Sequence, residues 1–293
     1  MASALLANQD EELILTLDCP ETIGIVYALT GVFLKHKYTI IDLQQFDDLR
    51  TGHFFIRVQA APFDGASAAY DAIKAEIDAI APDFSMRYEL RYKSEKRRVL
   101  IMSSKADHCL NDLFYRTRTG DLPIEIVGVV SNHRDHQRLS EWNGVPFYHI
   151  PVTPDTKADA EAQLLDVVDR LDVDLVVLAR YMQILSNDLA DKMEGRVINI
   201  HHSFLPSFKG AKPYHQAFER GVKTIGATAH YVNSELDEGP IIAQEVINID
   251  HTYSPEDLVR RGRDAETKAL ADAVRWHCEG RVILKGGRTV VLR

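Results

Sequence analysis

The chain has 293 residues, a formal net charge of −9 and a hydrophobic content of 45%. At roughly 150 residues per domain, it predicts about two globular domains. The acidic balance argues against a nucleic-acid partner, which needs a basic face. No apolar run reaches the roughly 18 residues of a membrane span, and the N-terminus does not read as a signal peptide, so we expect no membrane partner. Three widely spaced cysteines favour a reducing cytoplasm and predict neither disulfides nor a metal site: Cys19, Cys109 and Cys278.

The first part of the chain reads as strand, helix, strand, strand, helix, strand. The strands are predicted from β-rich stretches at 13–17, 38–46, 53–58 and 85–92, and the helices from apolar periodicity at 23–34 and 67–79. Residues 47–52 supply the hairpin turn. This order predicts a ferredoxin-like α+β domain.

One stretch of this domain carries a family pattern, Asp18-Cys19-Pro20-Glu21-Thr22-Ile23-Gly24-Ile25-Val26. Through it, residues 11–93 resemble an ACT domain, a small regulatory module that often binds amino acids. The resemblance implies an amino-acid effector near residues 22–26 and a homo-oligomer, because ACT modules commonly pair. The alternative is that Gly24 only permits tight packing of the first helix on its strand.

A charged link at 93–98 leads into a second domain, which we place at 97–293. Continuous apolar strands predict a parallel sheet covered on both faces; they lie at 99–102, 124–130, 175–178 and 197–200, with a helix at 160–171 between two of them. Two further β-rich segments, 224–232 and 241–249, are expected to add an antiparallel edge. A long helix is predicted at 254–278, with Ser254 as its N-cap and Pro255 in its first turn. The second domain is therefore an α/β domain with a mostly parallel open sheet.

The most informative residues stand where the fourth of these strands ends. Asn199 and His201 are two positions apart, so a strand points both side chains to the same face. The loop after them, with Pro206 and Gly210, is expected to open the mouth of a site. An amide can stabilise an oxyanion and an imidazole can move protons, which suits chemistry at a carbonyl. An acidic partner is then needed; of Glu235, Asp237 and Glu238, the turn favours Asp237.

Four motifs follow one another here: Asn199-Ile200-His201, Leu205-Pro206-Ser207-Phe208, Gly226-Ala227-Thr228-Ala229-His230 and Asp237-Glu238-Gly239-Pro240-Ile241-Ile242. Through them, residues 97–285 resemble the 10-formyltetrahydrofolate-dependent formyltransferase family. The resemblance implies a folate substrate, no tightly bound cofactor, and Asn199, His201 and Asp237 as the catalytic residues.

The same resemblance implies folate contacts. The stretch 179–186 is similar to the family segment that contacts the pterin, and we expect the contacts to be Met182, Gln183, Ile184, Leu185, His202 and His230. His202 departs from the family pattern, which has proline there. His230 has two other readings, a structural histidine with satisfied hydrogen bonds or a partner of Asp237.

Other parts of the chain indicate which molecule accepts the formyl group. A glycinamide ribonucleotide transformylase would place a glycine-rich phosphate loop after its first strand, whereas residues 103–110 contain no glycine, and Asp107 would repel a phosphate despite Lys105. A methionyl-tRNA formyltransferase would add a C-terminal β-barrel and a basic face, which we do not expect. Pairing with an ACT-like domain resembles the hydrolytic branch of the family. It implies hydrolysis of 10-formyltetrahydrofolate to tetrahydrofolate and formate; formyl transfer to an amine is the alternative, and a non-catalytic amino-acid sensor is a third reading.

Overall fold

The computed structural model describes residues 11–63, 68–205 and 213–293, which form two compact units. The first unit contains β1 (Leu13–Pro20), α1 (Ile25–Lys35), β2 (Tyr38–Asp48), β3 (His53–Pro62), α2 (Tyr70–Phe84) and β4 (Arg87–Tyr92). Its strands form an antiparallel sheet in the order β2-β3-β1-β4. This is the predicted ferredoxin-like order; the start predicted for the second helix, residue 67, lies outside the described residues.

The two helices of the first unit cover one face of its sheet. The buried positions of α1 recur at helical spacing and are Ile25, Leu29, Val32 and Phe33. Gly24 precedes α1 with φ of +98°, a backbone conformation that only glycine adopts readily. No heavy atom lies within 4 Å of the position that its Cβ would occupy. Gly24 is therefore required by the turn, and the alternative that it permits tight packing is wrong.

The end of the chain groups with the first unit rather than with the second domain, which was predicted at 97–293. Residues 279–285 and 290–293 belong to the first unit, and a hairpin is formed by β12 (Val282–Lys285) and β13 (Arg288–Val291). Ile283 and Leu292 pack against Phe55. The buried Arg57 donates from Nε to the Glu279 carbonyl at 3.0 Å. These contacts cover β3 side chains that would otherwise be exposed. The pattern of residues along a strand does not reveal that such contacts are needed.

The second unit is built on a seven-stranded sheet in the order β11-β10-β9-β8-β5-β6-β7. The strands are β5 (Arg97–Ser103), β6 (Ile124–Ser131), β7 (Phe147–His149), β8 (Leu175–Leu178), β9 (Val197–His201), β10 (Thr224–Tyr231) and β11 (Ile241–Asn248). β5 to β9 pair in parallel, while β10 runs antiparallel to both β9 and β11. The predicted parallel sheet and its antiparallel edge are both confirmed.

Helices of the second unit are α3 (His108–Thr119), α4 (Gln137–Trp142), α5 (Lys157–Arg170), α6 (Asn187–Lys192), α7 (Pro213–Glu219) and α8 (Pro255–Cys278). The start of α8 is as predicted, because the Ser254 hydroxyl accepts a hydrogen bond from the Asp257 amide at 3.2 Å. Side chains of α5 and of the parallel strands share a core; its members include Leu100, Val130, Leu164, Val168 and Val176. None of the described helices is both long enough and apolar enough to span a bilayer.

Candidate active site

A cleft of about 260 Å³ opens in the second unit where β8 and β9 end. All the predicted site residues line it: Asn199, His201, Asp237, Met182, Gln183, Ile184, Leu185, His202 and His230. Ligands of open α/β sheets bind outside the carboxyl ends of the strands, and the cleft has that location. The loop from Pro206 to Gly210, expected at the mouth, lies outside the described residues. The roles of the individual residues stay predictions.

His201 and Asp237 form a buried pair at the base of the cleft. Nδ1 of His201 lies 3.2 Å from a carboxylate oxygen of Asp237, and only 5% of the histidine is exposed. Burial acts to raise the pKa of Asp237, but its interactions with His201 and with the neighbouring His230 outweigh it, so this pKa lies well below its ordinary value. The carboxylate is therefore ionised at neutral pH. It fixes the imidazole with Nδ1 as the donor, which leaves Nε2 as the acceptor.

Nε2 of His201 is the chemically available atom of this pair. It is buried and, among the residues that the structure describes, has no hydrogen-bond partner. A buried polar atom without a partner costs free energy, and such atoms are concentrated where a ligand or a reacting group binds. The geometry suits a histidine that takes a proton from a bound molecule.

The turn that carries Asp237 depends on close backbone packing. Asp237 has φ of +58°, in the left-handed region that aspartate and asparagine tolerate better than most residues. Two positions later, a Cβ on Gly239 would lie 1.7 Å from the Tyr231 carbonyl oxygen. Only glycine therefore permits this approach of the turn to β10, and the approach brings Asp237 to His201.

Asn199 is oriented by His230 from the neighbouring strand, where the two residues are paired in register. Nδ1 of His230 is 2.8 Å from the Tyr231 carbonyl oxygen, so this nitrogen carries the proton and donates. Nε2 then accepts from the Asn199 amide nitrogen at 3.3 Å. One amide hydrogen of Asn199 is held in this way, and the second remains for a ligand. Nε2 of His230 is also 3.8 Å from Asp237, so His230 is both a structural histidine and a neighbour of the carboxylate.

The predicted pterin segment forms one wall of the cleft. Met182 and Ile184 expose apolar side chains there, 58% and 59% accessible. The segment is fixed at both ends. The Met182 amide donates to the Ser104 hydroxyl at 2.9 Å, and Ser186 caps α6 while its amide donates to Glu161 at 2.8 Å. A fixed apolar wall with accessible backbone suits a flat heteroaromatic ring.

His202 lies beside the His201–Asp237 pair. Its ring centroid is 5.2 Å from that of His201, with an angle of 36° between the rings. Burial, followed by the positive charge of Arg180 and by His201, lowers the pKa of His202 to about 4. His202 is therefore a neutral imidazole at pH 7. The neutral state of His202, beside the predicted catalytic histidine, was not evident from sequence.

Sequence reasoning also missed a buried cluster behind the cleft, formed by His108, Arg180, Tyr214 and Glu266. Glu266 is 2% exposed and accepts from Nε2 of His108 at 2.7 Å and from the Tyr214 hydroxyl at 2.9 Å. Its carboxylate also lies 3.4 Å from Nε of Arg180, which lines the cleft. Burial acts to raise the pKa of Glu266, but His108 and Arg180 overcome it and the pKa is lowered. Only Arg180, inside the pterin stretch, offered any signal in the sequence.

His108, Cys109 and Glu266 place donor atoms within 4.8 Å of one another, a spacing that a metal ion could bridge. The chemistry of the donors argues against it. Burial, then the charge of Glu266, raises the pKa of the Cys109 thiol well above its ordinary value, and metals bind the thiolate. The guanidinium of Arg180 already neutralises Glu266. Glu266 is therefore paired with Arg180 rather than available to a metal.

Together these features define a class. An amide, an imidazole paired with an ionised carboxylate, and an apolar wall meet at the carboxyl end of a mostly parallel sheet, which is the site of an α/β enzyme that acts on a carbonyl group. Comparison with known proteins narrows the class. Residues 97–274 match the family model described as formyl transferase.

The relatives extend over nearly the whole chain. A formyltetrahydrofolate deformylase of Corynebacterium sp. (strain P-1) is 61% identical over 96% of this chain and 98% of its own length. The crystal structure of the formyltetrahydrofolate deformylase from Burkholderia mallei superimposes with a TM-score of 0.92 and 48% identity, covering 96% of this chain and 99% of that one. A glycinamide ribonucleotide transformylase from Symbiobacterium toebii is more distant, with a TM-score of 0.63 and 30% identity over 68% of this chain and 95% of its own. The chain belongs to the formyl transferase family, and within it to the formyltetrahydrofolate deformylases.

Proposed function

We propose that this chain hydrolyses 10-formyltetrahydrofolate to tetrahydrofolate and formate, with Asn199, His201 and Asp237 as the catalytic residues. The observation that carries the proposal is the unpartnered Nε2 of His201, which is buried at the cleft while Nδ1 is held by Asp237 at 3.2 Å. A general base has to combine an available lone pair with a fixed orientation, and this histidine has both.

The reaction proceeds in two steps. Water attacks the formyl carbon, a C–O bond forms, and the proton leaves the water for Nε2 of His201. The imidazolium is stabilised by Asp237. It donates, together with the second amide hydrogen of Asn199, to the oxyanion, and a good donor of this kind contributes roughly 2.7–4 kcal/mol. The imidazolium then gives its proton to the folate nitrogen, the C–N bond breaks, and tetrahydrofolate and formic acid leave; the acid ionises to formate.

The end of β5 and the loop after it support water rather than an amine as the acceptor. Its serine hydroxyls are engaged within the protein: Ser103 pairs with Nδ1 of His136 at 3.0 Å, and Ser104 donates to the Asn132 side chain at 2.7 Å. Hydroxyls engaged in this way are not available to hold the phosphate of a ribonucleotide acceptor. Asp107 adds a negative charge to the same loop.

Folate contacts at Met182, Gln183, Ile184, Leu185, His202 and His230 are part of the same proposal, supported by their common position on the cleft. Hydrolysis of an N-formyl group transfers no electrons, so the chemistry requires only the folate and water, and we propose no tightly bound cofactor. Cys19, Cys109 and Cys278 are buried free thiols, which supports a cytoplasmic location.

The test is formate release by the purified protein with 10-formyltetrahydrofolate as the sole substrate. The proposal expects stoichiometric formate and tetrahydrofolate, with no increase in turnover when glycinamide ribonucleotide is added. Turnover that requires the amine would establish the transferase. Binding without turnover under either condition would establish a sensor.

We also propose that the chain forms a homo-oligomer through the first unit. Tyr27 and Leu34 lie seven positions apart on α1, so they share a helix face, and Ile23 precedes them; these side chains are 84%, 77% and 98% exposed. A second copy would remove this apolar stripe from water. In light scattering, Tyr27→Glu with Leu34→Glu should reduce the mass to that of a monomer, and Ala75→Glu on α2 should not. An unchanged mass would refute this surface.

An amino-acid effector is proposed near residues 22–26, on the strength of the ACT resemblance and of the turn that Gly24 permits. The turn ends beside β3, where the Glu21 amide donates to the Gly52 carbonyl at 2.9 Å. Formate release measured across a panel of amino acids tests the idea. Equal rates with every member of the panel would reject it.

A further inference from the structure

The three proposed catalytic residues do not by themselves fix the position of the attacking water. An amine acceptor carries a larger body that a protein can bind, whereas water has only its two hydrogens and its lone pairs. Its position in a catalytic step has to be fixed by hydrogen bonds from the protein. His201 can accept one hydrogen of the water, so a second acceptor is needed nearby.

His202 is in the right place to be that acceptor. It lines the cleft, and its ring centroid is 5.2 Å from that of His201. A hydrogen bond from water to a ring nitrogen spans about 2.9 Å, so one water molecule can reach both rings. Within the described part of the chain, no hydrogen bond engages the ring nitrogens of His202, and its neutral ring keeps one lone pair free.

The charges around His202 hold it in the neutral form. Arg180 and His201 disfavour its protonation, and Glu266 and Asp237 favour it. Both carboxylates are already paired. Glu266 pairs with His108 and Arg180, whereas Asp237 pairs with His201. Burial and the positive charge of Arg180 therefore prevail, and the imidazole remains an acceptor at neutral pH.

Arg180 is held in this position against a conformational cost. Its φ is +63°, in the left-handed region, where a residue with a Cβ is strained. Glu266, buried on α8, anchors its Nε at 3.4 Å, and the carboxylate is itself fixed by Tyr214. A strained residue with a buried anchor beside a cleft is a feature of functional sites.

We propose that His202 is a further catalytic residue, which holds the attacking water as a hydrogen-bond acceptor while Nε2 of His201 takes its proton. Arg180 is a positioning residue that keeps His202 in the acceptor form, and Glu266 anchors Arg180. This role rests on the proposed hydrolysis and leaves the atom balance of that reaction unchanged. The C–O bond forms at the water that both imidazoles hold, and the C–N bond breaks as before.

The first experiment follows the partition of the formyl group between two nucleophiles. Wild type, His202→Phe and His202→Gln are given 10-formyltetrahydrofolate with and without neutral hydroxylamine, and formate and formohydroxamate are measured. Phenylalanine keeps the ring contact without an acceptor, so it should lower kcat for formate by about 100-fold, leave KM for the folate within about threefold, and raise the hydroxamate-to-formate ratio at least tenfold. Glutamine keeps an acceptor oxygen and should recover part of the hydrolysis.

Equal loss of both products in His202→Phe, or a loss that appears only in KM, would refute the role in holding water. Absence of formate release by the wild type would instead refute the proposed function, so the two failures are distinguishable. If wild type makes no hydroxamate, the ratio is replaced by the formate rates of the two variants, and equal rates for phenylalanine and glutamine would overturn the inference.

The second experiment tests Arg180. The Cε1 proton of His202, assigned by its absence in His202→Phe, is titrated by NMR in wild type, Arg180→Asn and Arg180→Lys; asparagine tolerates the left-handed backbone. The pKa of His202, about 4 in the wild type, should rise toward its ordinary value in Arg180→Asn and return in Arg180→Lys. Identical titrations in all three proteins would overturn the role of Arg180.

Discussion

Replacing Asp237 with Asn removes one charge from the site and little else. Asparagine has nearly the same volume, tolerates the φ of +58° at this position, and can still accept a hydrogen bond from Nδ1 of His201. What it cannot do is stabilise the imidazolium that forms when His201 takes a proton. The substitution therefore separates the charge of Asp237 from its role in the turn.

The size of the effect follows from the distance. Two unit charges 3.2 Å apart attract by about 5 kcal/mol at an effective dielectric constant of about 20. Each 1.36 kcal/mol in the barrier changes the rate by about tenfold. The loss in kcat is therefore expected at about 10³- to 10⁴-fold. KM for the folate should change little, because the charge acts on the transition state rather than on the bound substrate.

The measurement is formate release at pH 7.5 by the wild type, Asp237→Asn and Glu238→Gln, with unfolding followed by circular dichroism. Glu238→Gln removes a charge from the next, exposed position and should stay within twofold of the wild type. A kcat for Asp237→Asn within tenfold of the wild type, in a protein that is folded, would refute the assignment of Asp237 and the pairing that supports it.

Three further outcomes are expected. Asn199→Ala should lower kcat by about 10²- to 10³-fold, measured by formate release, because it removes an oxyanion donor; a loss under threefold would contradict that role. Gly262→Ala should destabilise the protein by about 1–3 kcal/mol in urea unfolding, because its Cβ would lie 2.1 Å from the Tyr214 ring; an unchanged free energy of unfolding would contradict this close packing. His202 binds a proton more readily in the unfolded chain than in the folded protein. The free energy of unfolding should therefore fall as the pH drops from about 6.5 to about 4, and it should fall less steeply in His202→Gln. Parallel curves of unfolding free energy against pH for the two proteins would contradict the low pKa of His202.

The order of strands and helices along the chain could be predicted, since it depends on local patterns. Asn199 and His201 are two positions apart on one strand, and Asp237 lies in a recognisable turn, so their meeting at one cleft could also be predicted; their catalytic roles stay predictions. The parallel strands were visible as continuous apolar runs. The resemblance to a known family then indicated water as the acceptor of the formyl group, which the spacing of residues alone could not have shown.

What could not be predicted depends on distant contacts. Glu266 lies in the middle of a long helix that carries many other charged residues, and nothing local distinguishes it as the buried partner of Arg180. The tautomer of His230 is fixed by a carbonyl of the next residue and by Asn199 across the sheet. The last residues pack on the first unit, where the buried Arg57 donates to the Glu279 carbonyl. Hydrophobic periodicity does not reveal that a buried arginine needs such an acceptor.

The return of the chain end to the first unit has a consequence for the order of folding. The first unit is interrupted in sequence by residues 97–278 of the second, and its later pieces, 279–285 and 290–293, are synthesised after them. Residues 97–278 can leave the ribosome complete while Phe55 and Arg57 still lack their partners. The first unit is thus completed only after most of the second has been synthesised. A protein truncated after Cys278 would keep Asn199, His201 and Asp237 and lose part of its first unit.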